Sequence, residues 1–516
     1  MRELAADERL RTGPARPLFT VAEARRWTGG RLETPGPVSA TAPGGSPAGA
    51  TVITGVETDS RYIRPGDLFC ALPGERVDGH EFVEAAFRAG AVAALVSRPG
   101  MDPPPAGRAR LVVPDVLEAL GRLARRYRDR FEVPVIGVTG SVGKTTTKDL
   151  IAAALGRAFR VLANPGNLNT DVGLPLTVFR LGPEHELVCL EMAMRGPGEI
   201  ARLASIARPR TGVLTNIGPV HLETLGSLEA ITRAKEELLW ALPPDGSAVL
   251  NADDPIVAGL GATHRPRLAR VLTYGLDRPA DVSGTVAGPA AAGGVRFRVA
   301  LSGPARESAG LTDLGEFRIP LLGRHSVLNA LAAVAVGLLY GAGPEAMRSG
   351  LDRAGLSAMR QEIIEVGGVR VVNDAYNAGP ASMAAALDLL AEMRSAEGGR
   401  AVAVLGDMLE LGGLSDEAHR EVGRQAARLG LDHLVAVGPK AALLAEAAVE
   451  EGLDPGKVEH LADRRAAAAA ALRAIVPGDV VLVKGSRGMR LEEVVAGLVA
   501  ALSGAPAAGG REEGGA

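Results

Sequence analysis

Residues 135–138 form a short apolar run, and the segment directly after it limits the fold sharply. A glycine-rich turn (Gly140, Ser141, Val142, Gly143) leads straight into Lys144, Thr145, Thr146 and a helical pattern through Leu150 and Ile151. A buried strand entering a helix through so short a turn belongs to a βα unit, and successive βα units build a mostly parallel sheet covered on both faces. The same order of parts suits a polyphosphate. Glycines let backbone N–H groups approach oxygens, and a helix N-terminus favours anions. A lysine reaches the outer phosphates, and a threonine hydroxyl can ligate Mg²⁺. Val138 stands where the strict G-x-x-x-x-G-K-[ST] pattern has its first glycine, so the form present is the shorter G-x-x-G-K-T-T. The spacing does not fit the dinucleotide pattern G-x-G-x-x-G, and lysine directly after Gly143 favours terminal phosphates over that rival. A bare turn is the remaining alternative.

The length of 516 residues points to about three domains. We expect an α/β fold: a small N-terminal α/β domain (18–132), a central phosphate-loop domain with a mostly parallel sheet (133–357), and a Rossmann-like α/β C-terminal domain (358–503). Residues 1–17 and 504–516 are expected to be disordered ends. A Pro/Gly/Ala-rich stretch, 34–50, is expected to be a flexible loop. The helical pattern at 117–130 carries the charges of a solvated connector. Strands are expected at 187–190, 211–216 and 248–251, an antiparallel excursion at 279–317, and a second parallel sheet built from 369–373, 401–405, 434–437 and 480–483. Aromatic residues are only 3% of the chain, so the core has to be made of Ala, Val and Leu.

A net charge of -3 leaves no basic footprint for nucleic acid. Cys70 and Cys189 both lie in apolar runs without ligand spacing, the pattern of reduced thiols in a cytoplasmic protein. No apolar run approaches membrane-spanning length, so no membrane insertion is expected.

Three residues downstream could carry chemistry. Glu191 closes the apolar run 187–190, and in open α/β sheets ligands gather at the carboxyl ends of strands. His221 lies in a loop after the next strand, where a neutral imidazole could ligate a metal or orient a substrate; a lone histidine of this kind is more often structural. Lys235 sits in a helical pattern among acidic neighbours and by itself describes a surface lysine.

Taken in order, several motifs resemble the Mur ligase family, the ATP-dependent amide ligases of peptidoglycan precursor synthesis. They are Gly140-Ser-Val-Gly-Lys-Thr-Thr146, Asn164-Pro-Gly-Asn-Leu-Asn169, Glu191-Met with Gly196-Pro-Gly-Glu199, Asn216-Ile-Gly with His221-Leu-Glu, and Ala234-Lys235. The likeness runs from about residue 52 to 502. Three further stretches resemble the branch that adds D-alanyl-D-alanine: Asp59-Ser-Arg61 with Gly66-Asp-Leu-Phe69, Asn373-Asp-Ala-Tyr-Asn377, and Gly406-Asp-Met-Leu-Glu-Leu-Gly412. Lys484-Gly-Ser-Arg487 supports the same branch. The Asp-Asn-Pro-Arg signature of the diaminopimelate-adding branch is absent; that branch and the folylpolyglutamate synthetase-like ligases are the competing readings.

The resemblance implies a set of roles. Thr58, Asp59, Ser60 and Arg61 would grip the UDP moiety of a UDP-MurNAc-tripeptide. Residues 140–146 would cradle ATP, with Lys144 on its phosphates. Thr145 and Glu191 would hold one Mg²⁺, and His221 would help to hold a second together with Lys235, which the family typically carbamylates with CO₂. His325 and Asn329 would flank the adenine, where Ser326 replaces the family's first asparagine. Arg360 would reach the γ-phosphate, Asp374 the ribose, and Asn169 and Asn377 the peptide substrates, the second of which is D-Ala-D-Ala. Lys144, Lys235, His221 and Arg360 form the expected catalytic set, in a protein expected to be monomeric.

Overall fold

A computed structural model describes residues 16–35, 48–74, 77–290, 294–355 and 357–504. The expected disorder of the N-terminal extension falls on residues 1–15, that of the 34–50 stretch on 36–47, and that of the tail on 505–516, all outside the described residues.

Three main sheets organise the chain. The first has five strands in the order Arg31–Glu33, Ala109–Val112, Ala93–Val96, Asp67–Cys70, Gly55–Glu57, parallel except for the first pairing. The second has nine, ordered Asp313–Ile319, Val295–Leu301, Val282–Pro289, Arg270–Gly275, Ser247–Asn251, Thr211–Leu214, Val135–Thr139, Leu187–Glu191, Val161–Ala163. Its last seven strands pair in parallel, while Val282–Pro289, Val295–Leu301 and Asp313–Ile319 pair antiparallel, as the alternating residues 279–317 led one to expect. The third has six: Glu362–Val366, Val369–Asp374, Val480–Lys484, Ala401–Gly406, His433–Val437, Val458–Leu461, antiparallel only at its first pairing.

Val135–Thr139 lies between Leu187–Glu191 and Thr211–Leu214, and the chain leaves it first toward one edge and later toward the other. Strand order therefore reverses here, opening a crevice beyond the carboxyl ends where a ligand fits. All five residues of the strand are buried, which its continuous apolar character anticipates for a parallel sheet covered on both faces.

One expectation is overturned. The helix Val116–Arg128 is no solvated connector: Val116, Ala119, Leu120, Leu123, Ala124 and Tyr127 are buried. They share one core with Leu174, Phe179, Leu203 and Ile206 of the phosphate-loop unit. Phe19, Tyr127 and Phe179 also meet ring to ring across this junction. The arginines that suggested solvent caught only half of the helix. Those at 125 and 128 bend toward the end of helix Glu199–Ala207, where Arg128 Nε donates to Ala207 O at 2.9 Å and Arg125 donates to Ser205 O. Carbonyls at a helix C-terminus lack partners in their own helix and favour cations, so a charged face can seal an interface. The first and second sheets are thereby fastened together.

Candidate active site

The phosphate loop is held open by its neighbours. Gly140 (φ 149) and Gly143 (φ 83) take conformations that side chains oppose. Between them the loop is stitched to the end of the adjoining strand: Ser141 N donates to Asn216 O at 2.9 Å, Val142 N to Asn216 Oδ1 at 2.8 Å, and Thr215 Oγ1 to Val142 O at 2.6 Å. Helix Lys144–Leu155 begins with no side-chain cap. Its first N–H groups, which have no acceptor within the helix, are thus available to an anion. Lys144 Nζ folds back onto Gly140 O and Ser141 O, each at 2.9 Å. Burial pulls its pKa below the usual lysine value; Glu191 nearby opposes that pull and Arg360 adds to it.

Glu191 is 2% exposed at the end of its strand. Thr145 Oγ1 donates to its Oε2 at 2.6 Å and Asn169 Nδ2 to its Oε1 at 2.8 Å. Its backbone is clamped by fully buried Asn164, which accepts from Glu191 N and donates to Glu191 O. Lys148, one turn after Lys144, donates to Asn164 O at 2.7 Å from a buried position. Neither Asn164 nor Lys148 was assigned a role on sequence grounds. The signal for Lys148 was a lysine at i+4 within an apolar stripe.

Lys235, a surface lysine when read alone, is 2% exposed, and its Nζ donates to Gly140 O at 2.9 Å. Burial, reinforced by Lys144, lowers its pKa well below the ordinary value. The amine therefore loses its proton far more readily than an exposed lysine. His221 (φ 57) leads the short helix Leu222–Leu225, and its Nδ1 lies 2.5 Å from Glu410 Oε2 of the third unit, a partner absent from the expected set. Burial lowers the His221 pKa against the opposing pull of Glu410.

The third unit brings in further groups. The Arg360 guanidinium carbon sits 4.1 Å from the Tyr376 ring centroid. Gln361 bonds to His325 Nε2 and meets Ser326 Oγ at 3.4 Å, so both residues of the adenine-side motif touch this unit. Asn329 Oδ1 accepts from Thr147 at 3.2 Å and lies against Gly143. Asp374 is engaged by Lys484 Nζ at 2.5 Å, and the same ammonium reaches Asn377 O at 2.9 Å. In the first unit, Asp59 caps the turn Ser60–Tyr62 and pairs with Arg61 at 2.5 Å, while the Thr58 amide is held by Glu57. These four residues form a local turn held by hydrogen bonds within residues 57–62.

Among the described residues no three or more His, Cys, Asp or Glu side chains are grouped to hold a metal. The oxygens that fit a hard cation are Thr145 Oγ1 and Glu191 Oε2, which lie side by side and out of bulk water. No helix among the described residues is long and apolar enough to cross a membrane.

A phosphate loop at a switch point, a buried carboxylate and lysine beside it, and an arginine delivered by a second α/β unit define an ATP-dependent ligase of three sheets; the chain belongs to the Mur ligase family. The family's catalytic domain matches residues 52–128, the Mur ligase middle domain 138–337, and the glutamate ligase domain 359–487. Within the family, the chain is 39% identical over 454 residues to the UDP-N-acetylmuramoyl-tripeptide–D-alanyl-D-alanine ligase of Bacillus subtilis (strain 168), covering 87% of this chain and 94% of that one. A crystal structure of MurF from Acinetobacter baumannii superposes with a TM-score of 0.80 at 32% identity, covering 94% of this chain and all of the other. MurF ligase from Thermotoga maritima in complex with ADP gives 0.74 at 29% identity, with 87% and 98% covered.

Proposed function

We propose that this chain is an ATP-dependent ligase that joins D-alanyl-D-alanine to UDP-MurNAc-tripeptide, releasing ADP and phosphate and yielding the UDP-MurNAc-pentapeptide of peptidoglycan synthesis. The observation that carries the reading is one carbonyl: Gly140 O accepts from both Lys144 and Lys235, with Thr145 and Glu191 beside it. The names of the relatives supply the substrate pair. They favour it over a sibling that adds another amino acid and over a folylpolyglutamate synthetase-like ligase, whose likeness, at 15% identity, is one of fold.

In this mechanism the terminal carboxylate of the tripeptide attacks the γ-phosphorus of ATP, forming an acyl phosphate as ADP leaves. Lys144 swings from its two loop carbonyls to the phosphoryl oxygens, and Arg360 meets them from the third unit. The neutral amine of D-Ala-D-Ala then adds to the acyl carbon. The tetrahedral intermediate expels phosphate, breaking the C–O bond, and the amine gives up its proton. Water would hydrolyse the acyl phosphate, so closure of the third unit over the loop protects it. Thr145 and Glu191 would hold one Mg²⁺, and His221 with carbamylated Lys235 a second, neutralising charge on the phosphates. A buried amine with a lowered pKa fits CO₂ addition, since only the neutral amine is nucleophilic. Residues 18–132 bind the UDP moiety through Thr58, Asp59, Ser60 and Arg61. Residues 133–357 bind ATP with His325 and Asn329, and 358–503 contribute Asp374 toward the ribose. Asn169 and Asn377 meet the peptides. The protein acts as a cytoplasmic monomer.

The test is phosphate release from ATP in the presence of UDP-MurNAc-tripeptide. Release should depend on D-Ala-D-Ala and not on free diaminopimelate or lysine; the reverse dependence would select the sibling reading. Lys144→Ala should lower turnover at least ~100-fold, the scale of losing one well-placed donor to a developing oxyanion.

A further inference from the structure

Arg360 of the third unit lies within electrostatic reach of Lys144 in the phosphate loop, and the backbone on either side of it takes strained conformations. Met359 (φ 60) and Gln361 (φ 53) flank it, both non-glycine residues in the left-handed region. Such conformations persist where the surroundings over-determine them, often at functional sites. The guanidinium lies over the Tyr376 ring at 4.1 Å, yet its Nε is buried with no hydrogen-bond partner among the described residues. A buried donor without an acceptor is costly, and here the face and the phenol of Tyr376 both lie against the charged side chain.

Tyr376 is itself tied on three sides. Its amide donates to Met359 O at 3.3 Å, and Arg487 approaches the same ring at 5.9 Å. Its phenol lies within reach of the Arg360 side chain and, with a smaller effect, of the Asn167 side chain of the central unit. Asn167 belongs to the turn whose Asn164 and Asn169 hold Glu191.

We infer that Tyr376 is a positioning residue: its ring holds Arg360 toward the phosphate loop, and its hydroxyl, through Asn167, makes that placement depend on the third unit being seated on the central one. This rests on the proposed ligase reading, in which Arg360 meets the γ-phosphate. In this role Tyr376 acts on Arg360 and not on nucleotide or peptide. It acts by keeping a flexible side chain from turning away while its nitrogen awaits an anion.

Steady-state phosphate release by the full-length chain tests this with Tyr376→Leu, Arg360→Ala and the double variant. Tyr376→Leu should lower kcat about tenfold, within the range for a partly desolvated cation–π contact, with KM for D-Ala-D-Ala changed less than about twofold. In the Arg360→Ala background the same change should cost less than about threefold, because its route of action is already gone. Equal losses in both backgrounds would overturn the inference, as would a loss confined to KM for the dipeptide. Tyr376→Phe and Asn167→Ala leave the core intact and keep the test open should the leucine variant misfold. Each should lower kcat about threefold, and together no further. Wild-type kcat in both, or losses that multiply, would refute the link to Asn167. Wild-type protein that releases no phosphate in response to the dipeptide would refute the ligase reading; an active wild type with multiplying penalties would refute only the role of Tyr376.

Discussion

Gly140→Ala is the substitution whose effect can be worked most directly from the geometry. A Cβ built on Gly140 would overlap Thr215 Oγ1 outright and come within 3.1 Å of Asn216 N. That hydroxyl secures the loop through its 2.6 Å bond to Val142 O. Displacing it forfeits about 1 kcal/mol. Holding a non-glycine residue near φ 149 adds about 1–3 kcal/mol, and overpacking a further ~1–3 kcal/mol. The sum is about 3–7 kcal/mol, borne by the segment whose carbonyl anchors Lys144 and Lys235. A loop that relieves the strain by shifting loses its phosphate-binding shape, and at about 1.4 kcal/mol per tenfold the affinity for ATP should fall ~100-fold or more. Calorimetric titration with a non-hydrolysable ATP analogue reads the affinity, and denaturant unfolding followed by tryptophan fluorescence reads the stability. Gly218→Ala is the control, because the nearest atom to its new Cβ is Ser141 Cβ at 4.0 Å; its stability should stay within about 0.5 kcal/mol of wild type. Adding Thr215→Ala to Gly140→Ala removes the overlapping oxygen and should restore part of the binding. Nucleotide affinity of Gly140→Ala within threefold of wild type would refute this reasoning.

Burial sets two other outcomes. Lys235 has a folded-state pKa far below that of the unfolded chain, so between those two values the unfolded chain holds more protons. Stability should therefore rise as pH rises through this window toward the ordinary lysine value, and fall as pH is lowered through it. Lys235→Met should flatten that slope in CO₂-free buffer, as measured by urea midpoints at pH 7 and pH 9, while abolishing turnover. Cys70 and Cys189 are free and fully buried, and burial raises both thiols, Cys189 to about 12. Neither should react with a thiol reagent in the folded protein, and both should react once urea unfolds it; rapid labelling of the native chain would contradict the packing.

The sequence by itself determined the local parts. Glycines at 140 and 143 ahead of a lysine and a helical stripe dictate a strand, a turn and an anion-binding helix start, because those preferences act over a few residues. Alternating polarity at 279–317 marked the antiparallel strands for the same reason. The charged face of Val116–Arg128 misled, since an arginine can be solvated or can seal the end of another helix, and only the neighbour decides which. Lys235 was indistinguishable from a surface lysine because its burial depends on a carbonyl 95 residues away. The Glu410 partner of His221 lies 189 residues along the chain, in a loop of the third unit. Tertiary structure alone decided these pairings. Folding sets side chains from the central and third units around one loop and removes the water, and that lost water is what lowers the amine of Lys235 and leaves Arg360 Nε without a hydrogen-bond partner among the described residues.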